Sequence, residues 1–440
     1  MKKRFLIVAP AALVPNWKKQ IWKFTKEVPF LIEGTVPDPY QAAEIIKGDR
    51  TYYLGSYTSL AKGTKVPEEW KEVDGKKIKI PEFTTYLWIN FINMAKFDVI
   101  ILDEAHFLKN VDSSRSKAFR ELKEGKKLLL TGTPILNYPP EIWALLAMLD
   151  PKLAGSYDGF RNRYTLNGRT PKNVKELRES LKPILLRRTK KEVLKDLDPI
   201  ERITEYVELS SQGREIYEEV VAGIWRELEI LDFSAGIGKD SQKITNILAM
   251  FMRMKQVCAA DKANYVADLA VRLHDSNDEK VLIFSQFVNK PPVVPEIAKK
   301  LGGEALSIVG TQSPGDRLDI VERFNTDKNI HFLVASLHAT KLGLDITGAG
   351  SVIFNDLDWT PANHEQAEAR AYGRMSDLHS ITSYYIICQD TIEEVIQDIL
   401  AKKLAIIDEV IEGVQRDRSP GIFMEVLKEL KRTAWQRKGK

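Results

Sequence analysis

At 440 residues, with 44% hydrophobic and 29% charged side chains, the chain is too long for one ordinary core and has the balance of a globular protein with two main domains. Sixty-five Lys and Arg against sixty-one Asp and Glu leave a formal net charge of +4, so bulk charge does not direct it to a polyanion and any such surface must be a local patch. Cys258 and Cys388 are too few and too far apart in sequence for a disulfide framework or a zinc-ligand pattern, and fit a reducing, intracellular setting.

The chain opens on Lys2, Lys3 and Arg4 ahead of FLIVAPAALV, a superficial likeness to a secretion signal. Pro10 and Pro15 interrupt it, no small-residue cleavage site follows, and it passes directly into the amphipathic NWKKQIWKF. The protein is therefore expected inside the cell, in cytoplasm, nucleoid or nucleus, and not secreted. No segment approaches the roughly 20 apolar residues of a membrane span.

Four short apolar runs mark the first 150 residues: FLIVA (5–9), TYYLGSY (51–57), DVIILD (98–103) and KLLLTG (127–132). Each is β-branched or Leu-rich between helical or loop stretches, which predicts the buried parallel strands of a doubly wound α/β lobe over 1–150. Within it, KGTKVPEEWKEVDGKKIKIPEF (62–83) is polar and Lys-rich, a hairpin or loop on the solvent side. From 151 to 261 the chain is mostly charged with a helical period, clearest in GREIYEEVVAGIWRELEIL and NILAMFMRMKQV, which predicts a helical insertion and linker. The strand pattern returns at VLIFSQF (281–287), HFLVAS (331–336), SVIFND (351–356) and TSYYII (382–387), a second α/β lobe over 262–412. After a Pro-Gly break, 413–440 reads as a basic amphipathic helix ending in a tail.

The most explicit chemistry lies in VIILDEAHFLKN, where an apolar strand delivers Asp103 and Glu104 at its carboxyl end, the edge at which parallel α/β sheets bind ligands. Adjacent acids there suit a nucleotide. Asp103 would hold its magnesium, usually through water, and Glu104 would orient or deprotonate the attacking water. His106 would couple this site to its surroundings. At the end of the next strand, in LLLTGTPILNYPPEIWALLAMLDP, Thr131 and Thr133 offer hydroxyls beside the acids and Gly132 permits a tight turn.

The DEAH block followed by TGTPILN and its Leu-rich continuation resembles the superfamily-two helicases, and specifically the Swi/Snf-type ATPases. LIVAPAALVPNWKKQIWKF is similar to that family's motif Ia, GSYTSL to Ib, and LKPILLRRTKKEVLKDLDP to its linker segment. KVLIFSQF resembles motif IV, and ASLHATKLGLDITGAGSVIFNDLDWTPANHEQAEARAYGR resembles motifs V and VI joined by the DxDWxP signature. The ordered likeness runs from residue 5 to about 400. It implies two RecA-like lobes, ATP with Mg2+, and double-stranded DNA gripped by its backbone.

Carried over motif by motif, the resemblance nominates Trp17 and Lys18, Ser56 and Tyr57, Arg187 and Arg188, and Gln286 as DNA contacts, with Lys190 and Lys191 beside the arginine pair. Gln366 and Arg370 match the start of motif VI, and Arg370 takes the finger role toward the charge on the transferring phosphoryl group. The family's second arginine falls where this chain has Gly373. Arg374, one place on, is either a finger or sensor or an ordinary surface arginine. Motif V departs from pattern at Ala339, Thr340 and Lys341. Ser336 and Gly343 place backbone amides near a phosphate, and Asp345 organises the lobe, or all three are structural supports.

A motor of this class grips phosphates with G-x-x-x-x-G-K-[ST], and no such string occurs in the 440 residues. In the family that loop precedes motif Ia, which here lies at the very start. The expectation is an ATP-dependent double-stranded-DNA translocase or remodeller whose phosphate-binding segment comes from an N-terminal partner polypeptide. A truncated product and a non-catalytic DNA-binding clamp or scaffold are the alternatives. Intact Asp103, Glu104, Gln366 and Arg370 favour the first, because a clamp has no use for hydrolytic groups.

Overall fold

The apolar runs become strands of two parallel sheets, inner ones except for KLLLTG (127–132), which lies at an edge. The computed structural model describes residues 3–67, 69–73, 76–80, 83–132, 135, 139–166, 170–188, 200–229, 241–339, 344–372 and 381–411. The chain divides into two units, the first holding Met1–Ile184 and the end of the last helix from Ile406, the second holding Leu185–Ala405, so residues 151–184 fall with the first unit and 185–261 with the second.

In the first unit the strands are β1 (Phe5–Ala9), β2 (Phe30–Ile32) and β3 (Tyr52–Ser56), then β4 (Gly63–Val66), β5 (Glu69–Val73), β6 (Lys76–Ile80) and β7 (Phe83–Tyr86), then β8 (Val99–Asp103) and β9 (Lys126–Leu130). The sheet order is β2-β3-β1-β8-β9, parallel throughout. The polar stretch at 62–83 is a hairpin, β4 with β7 and β5 with β6, both antiparallel. A short ladder, β10 (Thr165–Leu166) with β11 (Thr170–Pro171), follows.

Alternation along the strands feeds two cores. Ile7 and Leu54 pack with Ile21 and Trp17 of the helix Val14–Thr25. Leu6, Val8, Tyr53, Ile100 and Leu102 pack with Trp88, Ile89, Ile92 and Phe119 on the other face. Each fully buried Leu or Ile contributes about 1.5–3 kcal/mol. Gly125 starts β9 at φ +82°, and a Cβ there would stand 2.7 Å from the Phe97 carbonyl oxygen, so this turn requires glycine.

The second unit has β12 (Glu201–Val207), β13 (Lys280–Ser285), β14 (Ala305–Ile308), β15 (Phe332–Ser336), β16 (Ala349–Phe354) and β17 (Thr382–Cys388), ordered β12-β17-β16-β13-β15-β14 and again parallel. Cores lie on both faces, one on Leu282, Phe284 and Val352, the other on Val281, Ile283 and Ile353. The helices Ser211–Glu229 and Ser241–Asp261 match the two amphipathic segments and pack with the helix Ile392–Ile411 through Tyr217, Phe251, Met254, Ile392 and Ile396. The expected insertion is thus not wholly helical, since β12 lies inside it and pairs along β17.

Cys258 and Cys388, distant in sequence, meet in this unit, where the Cys388 thiol donates to the Cys258 carbonyl at 3.8 Å. With Glu393 they place three ligand-type atoms within 4.8 Å of one another. The cation this carboxylate meets is Lys262, whose Nζ lies 2.5 Å from Glu393 Oε2 with both side chains essentially unexposed. No helix among the described residues is long and apolar enough to cross a membrane.

Candidate functional site

In the first unit the site forms where β8 ends. Asp103 is its last residue and is half-buried. Its Oδ2 accepts from Trp17 Nε1 at 2.7 Å and its Oδ1 from the Glu104 amide at 3.0 Å, while its carbonyl oxygen accepts from the Tyr57 hydroxyl at 2.7 Å. Burial raises the Asp103 pKa above the ordinary carboxylate value, opposed by the Trp17 hydrogen bond and assisted by the Glu104 charge. Glu104 sits at φ 50°, ψ 48°, in the left-handed region that a side chain adopts at a cost of about 1–3 kcal/mol. The turn lifts its carboxylate beside His106, whose Nδ1 is 3.0 Å from Glu104 Oε2 and 3.4 Å from Thr131 Oγ1. Asp103, Glu104, His106 and Thr131 are therefore brought together at this strand end.

Other nominated residues of this unit fall elsewhere. Tyr57 is 2% exposed, packed against Phe107 and Phe119, and burial with the nearby Asp103 charge raises its hydroxyl pKa well above normal. A side chain so enclosed cannot meet a DNA backbone, and its hydroxyl serves Asp103 instead. The Trp17 indole N–H is likewise taken by Asp103. Ser56 is buried and caps the helix Tyr57–Leu60, accepting from the Ser59 amide at 3.1 Å. In this structure all three support the strand end, while Lys18 is exposed. Gly132 has no positive φ, and a Cβ there would meet nothing within 4 Å, so it is not held to glycine by its turn.

In the second unit, Arg187 and Arg188 are exposed just after the boundary. Gln286 follows β13, half-buried, its amide donating to Asp356 Oδ1 at 3.1 Å. Ser336 ends β15 and is 5% exposed, leaving little of its side chain for a ligand. Gln366 and Arg370 lie one turn apart on the helix Pro361–Ala371, both half-buried, and the Arg370 carbonyl accepts from the Ile346 amide at 2.9 Å, next to exposed Asp345. Thr133, Gly343, Arg374, Lys190, Lys191 and the segment 413–440 lie outside the described residues.

The sequence reading passed over the buried charges of this unit. Glu368, on the inner face of the Gln366 helix, is 1% exposed and accepts from Arg202 Nε at 2.9 Å and from the Tyr385 hydroxyl at 2.9 Å. The hydrogen bonds to Glu368 raise Arg202's pKa, and burial, then the Glu368 charge, raises that of Tyr385. His364, one turn earlier, accepts from the Asp358 amide through Nε2 at 3.1 Å, and burial pushes its pKa down to about 4. The one available signal was spacing, since His364, Ala367, Glu368 and Ala371 share the buried face of the helix.

Residues 1–263 match the SNF2-related domain and residues 261–375 the helicase conserved C-terminal domain. An ATP-dependent helicase of Mycoplasma pneumoniae is 28% identical over 92% of this chain and 37% of its own length. The ISWI chromatin-remodelling complex ATPase ISW1 of Saccharomyces cerevisiae is 26% identical over 93% and 36%. The chain thus spans little more than a third of the curated relatives it matches. The Sulfolobus solfataricus SWI2/SNF2 ATPase core in complex with dsDNA aligns at a TM-score of 0.42 and 23% identity, over 98% of this chain and 86% of that one. Because the first match alone covers more than half of the residues, the chain belongs to the SNF2-related family.

Proposed function

We propose that the chain is the body of an ATP-dependent translocase or remodeller of double-stranded DNA, acting inside the cell. The observation that carries this reading is the end of β8, where the Asp103 carboxylate accepts from an indole and a backbone amide, its carbonyl accepts from a phenol, and the adjacent Glu104 carboxylate lies 3.0 Å from a histidine nitrogen. Among the described residues no Lys or Arg forms an ion pair with either acid, although desolvation disfavours the Asp103 charge. A carboxylate pair held in place without a cation suits a divalent ion. Mg2+ bound there would neutralise charge on the nucleotide phosphates. Asp103 would hold the ion, and Glu104, held by its turn next to His106, would orient or deprotonate the attacking water.

The names of the relatives, an ATP-dependent helicase and a chromatin-remodelling ATPase, support ATP and duplex DNA as substrates. Gln366 and Arg370 act on the charge developing on the transferred phosphoryl group. Exposed Lys18, Arg187 and Arg188 meet the DNA backbone, which positions the duplex without reading its sequence. With no G-x-x-x-x-G-K-[ST] in these residues, we assign the phosphate grip to a segment outside them.

The test is ATP hydrolysis on duplex DNA, with and without a candidate fragment bearing such a loop. Turnover that appears with the fragment, rises with DNA and disappears in Glu104→Gln is expected. A chain that binds the duplex, gains no turnover from the fragment and is indifferent to Glu104→Gln is a clamp.

A further inference from the structure

Lys255, on the helix Ser241–Asp261, is 0% exposed. Its ammonium donates to the Leu357 carbonyl at 2.6 Å and lies 3.5 Å from Gln286 Oε1, with the rings of Trp359 and Phe287 at 5.5 and 6.0 Å. No carboxylate lies within ion-pair distance among the described residues. Burial lowers its pKa, and Asp356 and Asp358 offset that only through their field. An ammonium enclosed without a partner anion is costly, and a methionine of similar length would avoid the cost, so packing alone gives no reason for lysine.

What the ammonium does is join two loops that leave the carboxyl edge of the second sheet, Gln286–Phe287 after β13 and Leu357–Trp359 after β16. Facing a pure donor, the Gln286 amide must turn its oxygen inward, which leaves its Nε2 buried without a hydrogen-bond partner in this structure. Asp356 reinforces the junction by accepting from Ser285 Oγ at 2.5 Å and from the Gln286 amide.

We propose that Lys255 is a positioning residue for DNA engagement, its ammonium clamping the Trp359 loop to the loop of Gln286, the residue that the resemblance nominates as a DNA contact. This rests on the duplex-DNA reading above. The test compares wild type with Lys255→Met and Lys255→Arg. Fluorine NMR of fluorotryptophan-labelled protein, with the Trp359 line assigned by its loss in Trp359→Phe, reads the loop itself. Titration with a duplex oligonucleotide reads binding.

Lys255→Met is expected to melt within about 3 °C of wild type, to shift or broaden the Trp359 line, and to bind the duplex about tenfold more weakly. Lys255→Arg, which can donate to the same carbonyl, restores both. An unmoved Trp359 line, or a moved line with unchanged duplex affinity, overturns the proposal. So does a melting loss shared equally by both variants, which would assign Lys255 to the core alone. Wild-type protein that binds no duplex overturns the DNA reading, and the Trp359 line then still decides whether Lys255 clamps the loops.

Discussion

The two units carry similar acids in opposite electrostatic settings. In the first unit Asp103 is held by neutral donors and Glu104 by a histidine, and neither has a Lys or Arg partner among the described residues. In the second, Glu368 is gripped by Arg202 and Glu393 by Lys262. A buried acid already matched by a cation is part of the scaffold. One that is oriented but unmatched is available for chemistry. The comparison teaches that compensation separates a candidate catalytic carboxylate from a structural one.

The largest effect follows from removing the unmatched acid. Glu104→Gln keeps the shape of the turn and should leave the melting temperature unchanged, while DNA-stimulated ATP turnover, measured with the phosphate-loop segment supplied, falls about 10³-fold. A variant that melts early with turnover intact would place Glu104 with the scaffold acids and break the comparison.

The converse holds in the second unit. Lys262→Met leaves Glu393 fully buried without its cation and should cost about 3 kcal/mol in denaturant unfolding. If the cost is negligible, Glu393 is satisfied by the Cys388 amide alone and the pair is not the anchor the geometry indicates.

A comparable effect is written in pH. His364 accepts from the Asp358 amide, so protonation would set two donors face to face. Its folded pKa, about 4, lies below the ordinary histidine value near 6.5. The unfolded chain therefore binds a proton that the folded chain refuses between those values. Stability is fully present above pH 6.5 and is lost as pH falls toward 4, by about 3 kcal/mol. His364→Gln, which can accept from the same amide, should flatten that slope. Equal slopes in both proteins would show that the acid sensitivity arises elsewhere.

Eight strands were legible from their continuous apolar runs, and each lies within two residues of its expected limits. Those passed over lack that signature. β12, ERITEYV, alternates charge with apolar residues because it is an edge strand, half-exposed along its length, and β2 and β14 are only three and four residues long. At the site, the acids and His106 were readable because strand, turn and acid are contiguous. Trp17 and Tyr57 were not, since they reach Asp103 across 86 and 46 residues through a strand order that no local pattern reveals. The Arg202 to Glu368 pair, 166 residues apart, was hidden for the same reason.

The smallest predicted effects divide the support of Asp103 into its two parts. The Trp17 N–H favours the ionised carboxylate, so Trp17→Phe should move the Asp103 pKa further in the direction that burial already drives it, upward. The acid limb of the ATPase pH profile should then shift to higher pH, with a stability loss of about 1 kcal/mol. Tyr57→Phe should cost about as much stability, because it removes a hydrogen bond at a buried carbonyl. It leaves both carboxylate oxygens with their donors, so the acid limb should stay where it is. If the two substitutions shift the limb alike, the Trp17 hydrogen bond is not what tunes Asp103, and the neutral-donor side of the comparison loses its mechanism.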